Sequence, residues 1–265
     1  MKCETIRLDE HTTVDTYICK HTNWLTRKAM LVLPGGGYEF IDEYIEGEAI
    51  AQAFIPYGFN SFVLNYTIDR KHPYPHQLIQ VSKAVKHIRD NAEEYGIDPE
   101  EVYVIGFSAG GHLCGTLGLQ WNKQEIYDAI DMPYGYNKPK GTLLIYPVVS
   151  GISEYSHKDS FKNLLCTPTP TKEQLESVSL ERLVTKDAVP AFLVHGASDE
   201  LVPVENTLLL ANAYSKENIP FEVHIYPKGQ HGFGLGNEIT AQHERHPQEG
   251  IRNWLPNAIL WMKTL

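Results

Sequence analysis

Gly106-Phe107-Ser108-Ala109-Gly110 has the form Gly-x-Ser-x-Gly and directly follows the apolar run at 102–105. That run has the length and composition of a buried strand, and residues 113–121 have those of a helix. A serine on a tight turn between a strand and a helix is lifted out of the sheet, and flanking glycines permit the crowded backbone that this requires. The pattern therefore predicts that Ser108 is a nucleophile rather than part of an ordinary turn.

Strands and helices alternate along the chain, with no internal repeat and no evident domain boundary. Apolar and alternating runs predict strands at 29–33, 61–66, 102–105, 142–146, 191–194 and 221–225. Shorter runs at 5–8 and 14–18 predict a hairpin at the sheet edge. Helical spacing predicts helices at 48–57, 76–95, 113–121, 203–214 and from 251 onwards. This order predicts one α/β domain over residues 1–265, with a mostly parallel sheet of about eight strands and helices on both faces.

Three segments interrupt this alternation. Asp98-Pro99-Glu100 has the composition of a turn just before the nucleophile strand. Residues 122–140 are polar and contain glycine and proline, so we expect a surface excursion there. Residues 150–187 show two modest helical stretches and no clear strand. A segment of that length between strands is typical of a small lid insertion over a site.

The composition bounds the kinds of partner. Apolar residues make up 42% of the 265 residues and charged ones 21%, which is typical of a globular protein. The formal net charge of −10 argues against nucleic acid and anionic membrane surfaces as partners. The composition leaves assembly into a homo-oligomer open.

The N-terminus and the cysteines indicate a cytoplasmic location for the chain. No apolar secretory segment follows Met1, and no apolar run approaches the length of a membrane span. Cys3, Cys19, Cys114 and Cys166 are scattered without a CxxC pair, which favours free thiols in a reducing compartment. The alternative is a disulfide between Cys3 and Cys19 across the N-terminal hairpin.

A serine hydroxyl needs a base to become a nucleophile at neutral pH, and the base needs an orienting acid. In parallel sheets such groups gather at the carboxyl ends of strands. Asp199 follows one predicted strand and His231 lies in the glycine-rich loop after the last one, so the order is Ser108, Asp199, His231. Glu200 and Glu205 are the rival acids. Glu200 is one residue too late for the turn and Glu205 falls within a helix, so Asp199 is preferred.

Other histidines have more ordinary interpretations. His112 adjoins the serine turn, where packing or positioning is expected, and His195 at a strand end is expected to bond to backbone. His72 and His76 are placed where they would edge a pocket. The run His243-Glu244-Arg245-His246 differs from the HExxH zinc motif, so no metal site is predicted there.

An oxyanion hole is expected opposite the serine. The N–H of Ala109 should combine with one from Gly36 or Gly37, which follow a buried strand. A nucleotide-binding loop is the alternative for these glycines, and it fails because GxGxxG spacing and a following lysine are absent. Three tyrosines fall where the wall of a substrate pocket is expected, and packing in the core or at the rim is the alternative for them: Tyr38, Tyr66 and Tyr146.

With these pieces, the chain resembles α/β-hydrolases of the esterase/lipase type, and among them the small acetyl-xylan-esterase-like hydrolases. The matching pieces run through the chain in order: Leu33-Pro34-Gly35-Gly36-Gly37-Tyr38, Leu64-Asn65-Tyr66, the stretch from Gly106 to Leu113, Tyr146-Pro147-Val148, His195-Gly196, Asp199, Val202-Pro203 and His231-Gly232-Phe233. The resemblance implies a carboxylic-ester hydrolase that forms an acyl-serine intermediate and uses no cofactor.

The chain also departs from the lipase-like relatives. Pro34 stands where hormone-sensitive-lipase relatives carry a histidine, and little sequence precedes the strand at 29–33 to form an N-terminal cap. Both departures favour an open site for small acyl esters, including acetylated sugars. Three alternatives stay open: an arylformamidase, a prolyl-oligopeptidase-like peptidase, for which no propeller domain is present, and a non-catalytic binding protein.

Overall fold

The strands form one sheet in the computed structural model, which describes residues 1–19, 26–241, 248 and 250–265. The strands are β1 Lys2–Arg7, β2 Thr13–Ile18, β3 Arg27–Leu33, β4 Phe59–Asn65, β5 Ile97–Phe107, β6 Gly141–Ile145, β7 Ala191–Gly196 and β8 Phe221–Tyr226. Their order across the sheet is β1-β2-β4-β3-β5-β6-β7-β8. The predicted α/β-hydrolase architecture with a mostly parallel sheet of about eight strands is confirmed.

The antiparallel part of the sheet is confined to one edge. β1 pairs with β2 and β2 with β4 in antiparallel fashion, while every pair from β4 to β8 is parallel. The predicted N-terminal hairpin is therefore confirmed. Its register places Tyr17, not Cys19, opposite Cys3.

Helices cover both faces of the sheet. The α-helices are α1 Ala49–Phe54, α2 His76–Asp90, α3 Ala92–Tyr95, α4 Ser108–Gln120, α5 Gln124–Ala129, α6 Lys158–Leu164, α7 Lys172–Val178, α8 Leu180–Leu183, α9 Glu205–Glu217 and α10 Trp254–Met262. A π-helix, Glu43–Glu48, leads into α1, and two 3-10 segments lie at Ile55–Tyr57 and Ile251–Asn253.

Side chains of β3 show how the core is divided. Leu31 and Leu33 join the apolar cluster that includes α2, α4 and α9, while Met30 and Val32 join the cluster that includes α1 and α10. Successive strand residues point to opposite faces, so a continuous apolar run is what a sheet covered on both sides requires. These buried strands hold the site at their carboxyl ends.

Three predicted boundaries differ from the structure. The helix expected at 76–95 is interrupted at Asn91, whose side-chain amide donates a 2.7 Å hydrogen bond to the His87 carbonyl and whose backbone is not helical. The turn expected at 98–100 lies inside β5, where the pairing with β3 shifts register and accommodates it as a bulge. The helix expected from 113 begins at Ser108 itself.

The segment 150–187 contains three helices, α6, α7 and α8, rather than the two stretches expected. Its Leu180 N–H donates to the carbonyl of Val149, and Asn163 donates a 2.9 Å hydrogen bond to the carbonyl of Gly37. The segment is therefore attached to the loop after β3 and stands beside the site. The segment 122–140 contains α5, and none of its residues lines the cavity that contains Ser108.

Candidate active site

Ser108 occupies the sharp turn between β5 and α4 with a backbone φ of 51°, a conformation that side-chain-bearing residues seldom adopt. Tight packing explains the glycines on either side. A Cβ on Gly106 would lie 2.1 Å from the carbonyl oxygen of Gly110, and one on Gly110 would lie 2.1 Å from that of Leu33. The Gly-x-Ser-x-Gly sequence is thus required for this backbone to pass so close to β3.

The structure brings Ser108, His231 and Asp199 together. The Nε2 atom of His231 is 2.8 Å from Ser108 Oγ, and its Nδ1 atom is 2.7 Å from Asp199 Oδ2. A carboxylate can only accept, so Nδ1 carries the proton and Nε2 is left to accept from the serine hydroxyl. The ring therefore has the tautomer that a general base needs.

Backbone and side-chain donors fix the carboxylate of Asp199. Its Oδ1 accepts N–H hydrogen bonds from Leu201 at 3.0 Å and Val202 at 2.9 Å. Burial alone would raise the pKa of Asp199, but hydrogen bonds from His195 and His231 outweigh it and hold the pKa well below its ordinary value. Asp199 is thus an ionised, oriented partner for the histidine.

The rival residues are placed elsewhere. Glu200 is exposed, and Glu205 begins α9. His195 is fully buried, with Nε2 2.8 Å from the Val202 carbonyl and Nδ1 2.7 Å from Thr207 Oγ1. It therefore has the backbone-bonded, structural position expected from the sequence.

The loop after β3 lies beside the serine. Gly36 and Gly37 have φ values of 123° and 66°, which favour glycine, and both line the same cavity as Ser108. Ala109 is the second residue of α4, where a helix has backbone N–H groups without intrahelical partners. The three residues predicted for an oxyanion hole are thus gathered around one serine.

The cavity around Ser108 has a volume of about 430 Å³. Segments before α1, in α6 and after β8 contribute to its wall. Carboxylates are frequent there, and two exposed apolar side chains, Phe40 and Leu201, stand at its edge. The lining residues are Gly36, Gly37, Glu39, Phe40, Asp42, Glu46, Ser108, His157, Asp159, Asn163, Leu201, His231 and Gly232.

The structure corrects the expectation for the three tyrosines, which lie behind the cavity and not in its wall. Tyr66 donates a 2.7 Å hydrogen bond to the Pro34 carbonyl, and Tyr146 donates one of 2.8 Å to Glu46. Tyr38 is 2.9 Å from Nδ1 of His112. All three tyrosines are buried, and the internal partners of their hydroxyls make that burial possible. Through these hydrogen bonds they support the loops that form the site.

Glu46 and His157 are among the residues of the cavity wall that were not anticipated from the sequence. Glu46 is a buried carboxyl group, and burial raises its pKa to about 7. His157 precedes α6 and lies 2.8 Å from Ser160 Oγ through its Nδ1, with a pKa lowered by burial and by the charge of His231. No periodic pattern in the sequence indicates that these two residues are buried, because Glu46 lies in an acidic run and His157 in an irregular segment.

The remaining histidines are accounted for separately. His112 is buried between Tyr38 and the Val178 carbonyl, as a positioning or packing role requires. His72 and His76 stack on each other with ring centroids 4.6 Å apart and do not line the cavity. Residues 243–246 lie outside the described residues. Within the described ranges, no group of three or more His, Cys, Asp or Glu is arranged to hold a metal ion.

The model of the BD-FAE family matches residues 14–214. The chain belongs to the BD-FAE family. A model of the dienelactone hydrolase family also matches residues 176–256. This member of the BD-FAE family is accordingly placed in the α/β-hydrolase superfamily, as the resemblance in the sequence implied.

Individual relatives agree with this placement. The BD-FAE domain is 39% identical over 223 residues to endo-1,4-beta-xylanase B of Butyrivibrio fibrisolvens, covering 82% of this chain and 34% of that protein. It is 31% identical over 239 residues to an acetylxylan esterase of Xylanibacter ruminicola, covering 86% of this chain and 45% of that protein. The chain therefore spans less than half the length of these two relatives.

A solved structure matches over almost its full length. The acetyl ester-xyloside bifunctional hydrolase from Caldicellulosiruptor lactoaceticus is 29% identical and superimposes with a TM-score of 0.84. The match covers 98% of this chain and 96% of that one.

In the part of the chain that the structure describes, no helix is long and apolar enough to cross a membrane.

Proposed function

We propose that this BD-FAE domain hydrolyses short-chain acyl esters through Ser108, His231 and Asp199. One observation carries the proposal: the His231 ring bridges Ser108 Oγ and Asp199 Oδ2 with distances of 2.8 and 2.7 Å. That arrangement meets the geometric requirement for a serine nucleophile, a general base and an orienting acid.

The reaction proceeds in two displacements. Ser108 Oγ attacks the ester carbonyl carbon while His231 Nε2 takes the hydroxyl proton, and the carbonyl oxygen becomes an oxyanion facing the N–H groups of Ala109 and of Gly36 or Gly37. The intermediate then expels the alcohol, which leaves with the proton from His231. Water, deprotonated by the same ring, attacks the acyl-serine and releases the carboxylic acid and free Ser108.

The surroundings of Ser108 favour a small acyl group and a polar alcohol. The cavity holds about 430 Å³, and a second hollow of about 420 Å³ shares Glu39, Asp159 and Asn163 with it. Carboxylates and the Asn163 amide suit sugar hydroxyls, which donate hydrogen bonds, whereas a long apolar acyl chain has Phe40 and Leu201 as its large apolar contacts among the described lining residues. The acetylxylan esterase of Xylanibacter ruminicola and the acetyl ester-xyloside bifunctional hydrolase of Caldicellulosiruptor lactoaceticus support the same substrate class.

An organophosphate and a panel of substrates test the proposal. The serine-directed reagent should label Ser108, and Ser108→Ala should abolish both labelling and turnover. p-Nitrophenyl acetate and acetylated xylan should be hydrolysed, and a long-chain p-nitrophenyl ester should react much more slowly. Turnover of N-formylkynurenine alone would indicate a formamidase, and turnover of a peptide anilide alone a peptidase. Absence of labelling at Ser108 would indicate a binding protein.

A further inference from the structure

Glu46 is an unusual residue to find in the wall of an ester-hydrolysing site, because it places a buried carboxyl group beside the nucleophile. Its exposed fraction is 4%, yet it lines the cavity that contains Ser108. A Cβ built on Gly35 would lie 2.5 Å from Glu46 Oε2 and 2.9 Å from Ser108 Cβ, so carboxyl and serine flank the same glycine. Burying an ionisable group is costly, and a carboxyl retained at such a place needs a reason.

Hydrogen bonds accepted by Glu46 join the two loops on which the reaction depends. Its Oε2 accepts a 2.7 Å hydrogen bond from the N–H of Gly35, next to the glycines of the expected oxyanion hole. Its Oε1 accepts one of 2.8 Å from the hydroxyl of Tyr146. That hydroxyl in turn accepts a 3.2 Å hydrogen bond from the N–H of Gly234, in the loop that carries His231.

Tyr146 also touches the base directly. Its ring meets the His231 ring edge to face, with centroids 5.0 Å apart, and meets the Phe233 ring at 4.4 Å. Tyr146 itself has a φ of 38°, an uncommon conformation for a tyrosine, which aims the side chain at this loop. Tyr146, held by Glu46, thus contacts both the His231 ring and the backbone of the loop that carries it.

Several charged or titratable groups face Glu46. His231 and the Tyr146 hydroxyl lower the pKa of Glu46, the neighbouring Asp42 raises it, and Tyr66 lies close enough for the Glu46 charge to raise the pKa of its phenol. Burial is the largest influence and brings the Glu46 pKa to about 7. The carboxyl therefore changes charge in the range where an esterase operates.

We propose that Glu46 is a positioning residue for ester hydrolysis: with Tyr146 it holds the oxyanion loop and the His231 loop in mutual register. The inference rests on the proposed function. When ionised, Glu46 also adds a negative charge that favours the imidazolium form of His231, which exists only after the serine proton has moved. Its contribution belongs to the transition state more than to substrate binding.

Two variants test this link from either end. Glu46→Gln keeps the side-chain size, but its amide places an acceptor oxygen at only one of the two positions and an NH2 donor at the other. With the oxygen toward the Gly35 N–H, the Tyr146 hydroxyl loses the acceptor for its proton. Tyr146→Phe removes the hydroxyl and leaves Glu46 in place. Steady-state kcat and KM for p-nitrophenyl acetate are measured from about pH 5 to about pH 9 for each variant and for the double variant. Glu43→Gln, an exposed glutamate on the same π-helix, is the matched control.

We expect each single variant to lose about tenfold to a hundredfold in kcat, since a small displacement of reacting groups costs that much, with KM changed by less than about threefold. The double variant should be no worse than the poorer single one because both break the same chain. The wild-type kcat profile should show a step near pH 7 that Glu46→Gln lacks, and the control should match the wild type.

The inference is overturned by a Glu46→Gln enzyme with kcat within about twofold of the wild type, by an unaltered pH profile, or by losses that multiply in the double variant. If Glu46→Gln does not fold, Tyr146→Phe decides alone, and full kcat in that variant overturns the inference. A wild type that is labelled at Ser108 and turns over esters separates these outcomes from failure of the proposed function.

Discussion

Asp199 accepts a 2.7 Å hydrogen bond from Nδ1–H of His231 through one carboxylate oxygen, while the other oxygen accepts the N–H groups of Leu201 and Val202. The carboxylate is thus anchored by the backbone of its own loop and cannot turn without breaking two hydrogen bonds. Its direction determines the tautomer of His231, because Nδ1 must donate toward it.

Asp199→Asn is therefore expected to lower kcat by about ten-thousand-fold while the fold is kept. An amide turned to donate toward Nδ1 stabilises the wrong tautomer and leaves Nε2 protonated, so it cannot accept from Ser108. Ester turnover and circular dichroism check both halves of the prediction. Glu200→Gln, at the exposed neighbouring residue, is the control and should retain turnover. Near-normal turnover by Asp199→Asn would mean that another carboxylate orients His231.

Gly110→Ala tests whether the last glycine of the serine turn is required by packing. Its Cβ would lie 2.1 Å from the Leu33 carbonyl oxygen and 2.4 Å from that of Pro34, and backbone cannot yield cheaply. We expect a loss of at least about 3 kcal/mol in the free energy of unfolding, from urea titration. Gly250→Ala is the control, since a Cβ there meets no described residue within 4 Å. Equal stability of the two variants would contradict the packing argument.

The sequence predicted the parts of the site that follow strand ends. Buried strands appear as continuous apolar runs, and parallel strands place their carboxyl ends at one edge of the sheet, so Ser108, Asp199 and His231 could be grouped without coordinates. Neighbouring glycines then marked the backbone turns. For these residues, local pattern and fold class were sufficient.

The supporting residues could not be predicted in the same way. Glu46 lies in the acidic run Glu43–Glu48, which looks solvent-exposed, and only the π-helix turns this one carboxylate inward. The expectation that Tyr38, Tyr66 and Tyr146 form a pocket wall correctly placed them near strand ends. It failed on direction, because the partners of their hydroxyls lie far away in the sequence.

Glu46 should also make stability depend on pH. Its pKa is raised from 4.5 to about 7, so its contribution to stability is complete below about pH 4.5 and is lost as the pH rises through 7. Glu46→Gln removes that loss. Relative to the wild type, the variant should gain up to about 3 kcal/mol in the free energy of unfolding between pH 4.5 and 8, measured by urea titration.

The exposed Glu43→Gln variant supplies the baseline for this measurement, because it removes a carboxylate from the same π-helix without opening a buried site. Its stability difference from the wild type should vary little over the same pH range. A Glu46→Gln difference that is equally flat would show that the carboxyl ionises as readily in the folded chain as in the unfolded one.

His112 should have the opposite effect on the acid side. Burial lowers the pKa of His112 from 6.5 to about 4, and both ring nitrogens are engaged, by the Tyr38 hydroxyl and the Val178 carbonyl. His112 is therefore protonated below about pH 6.5 in the unfolded chain but only below about pH 4 in the folded chain. Stability from the buried neutral ring is present above 6.5 and is lost as the pH falls through that window.

His112→Gln keeps a donor for the Val178 carbonyl but does not titrate. At pH 7.5 it should be less stable than the wild type by about 1–2 kcal/mol, for the lost hydrogen bond from Tyr38. Between pH 7.5 and pH 5 the free energy of unfolding of the wild type should fall by about 2 kcal/mol relative to that of the variant, so the two urea curves should converge. His224→Gln, at a partly exposed residue of edge strand β8, is the control. A difference between His112→Gln and the wild type that is the same at both pH values would mean that His112 is protonated inside the folded protein.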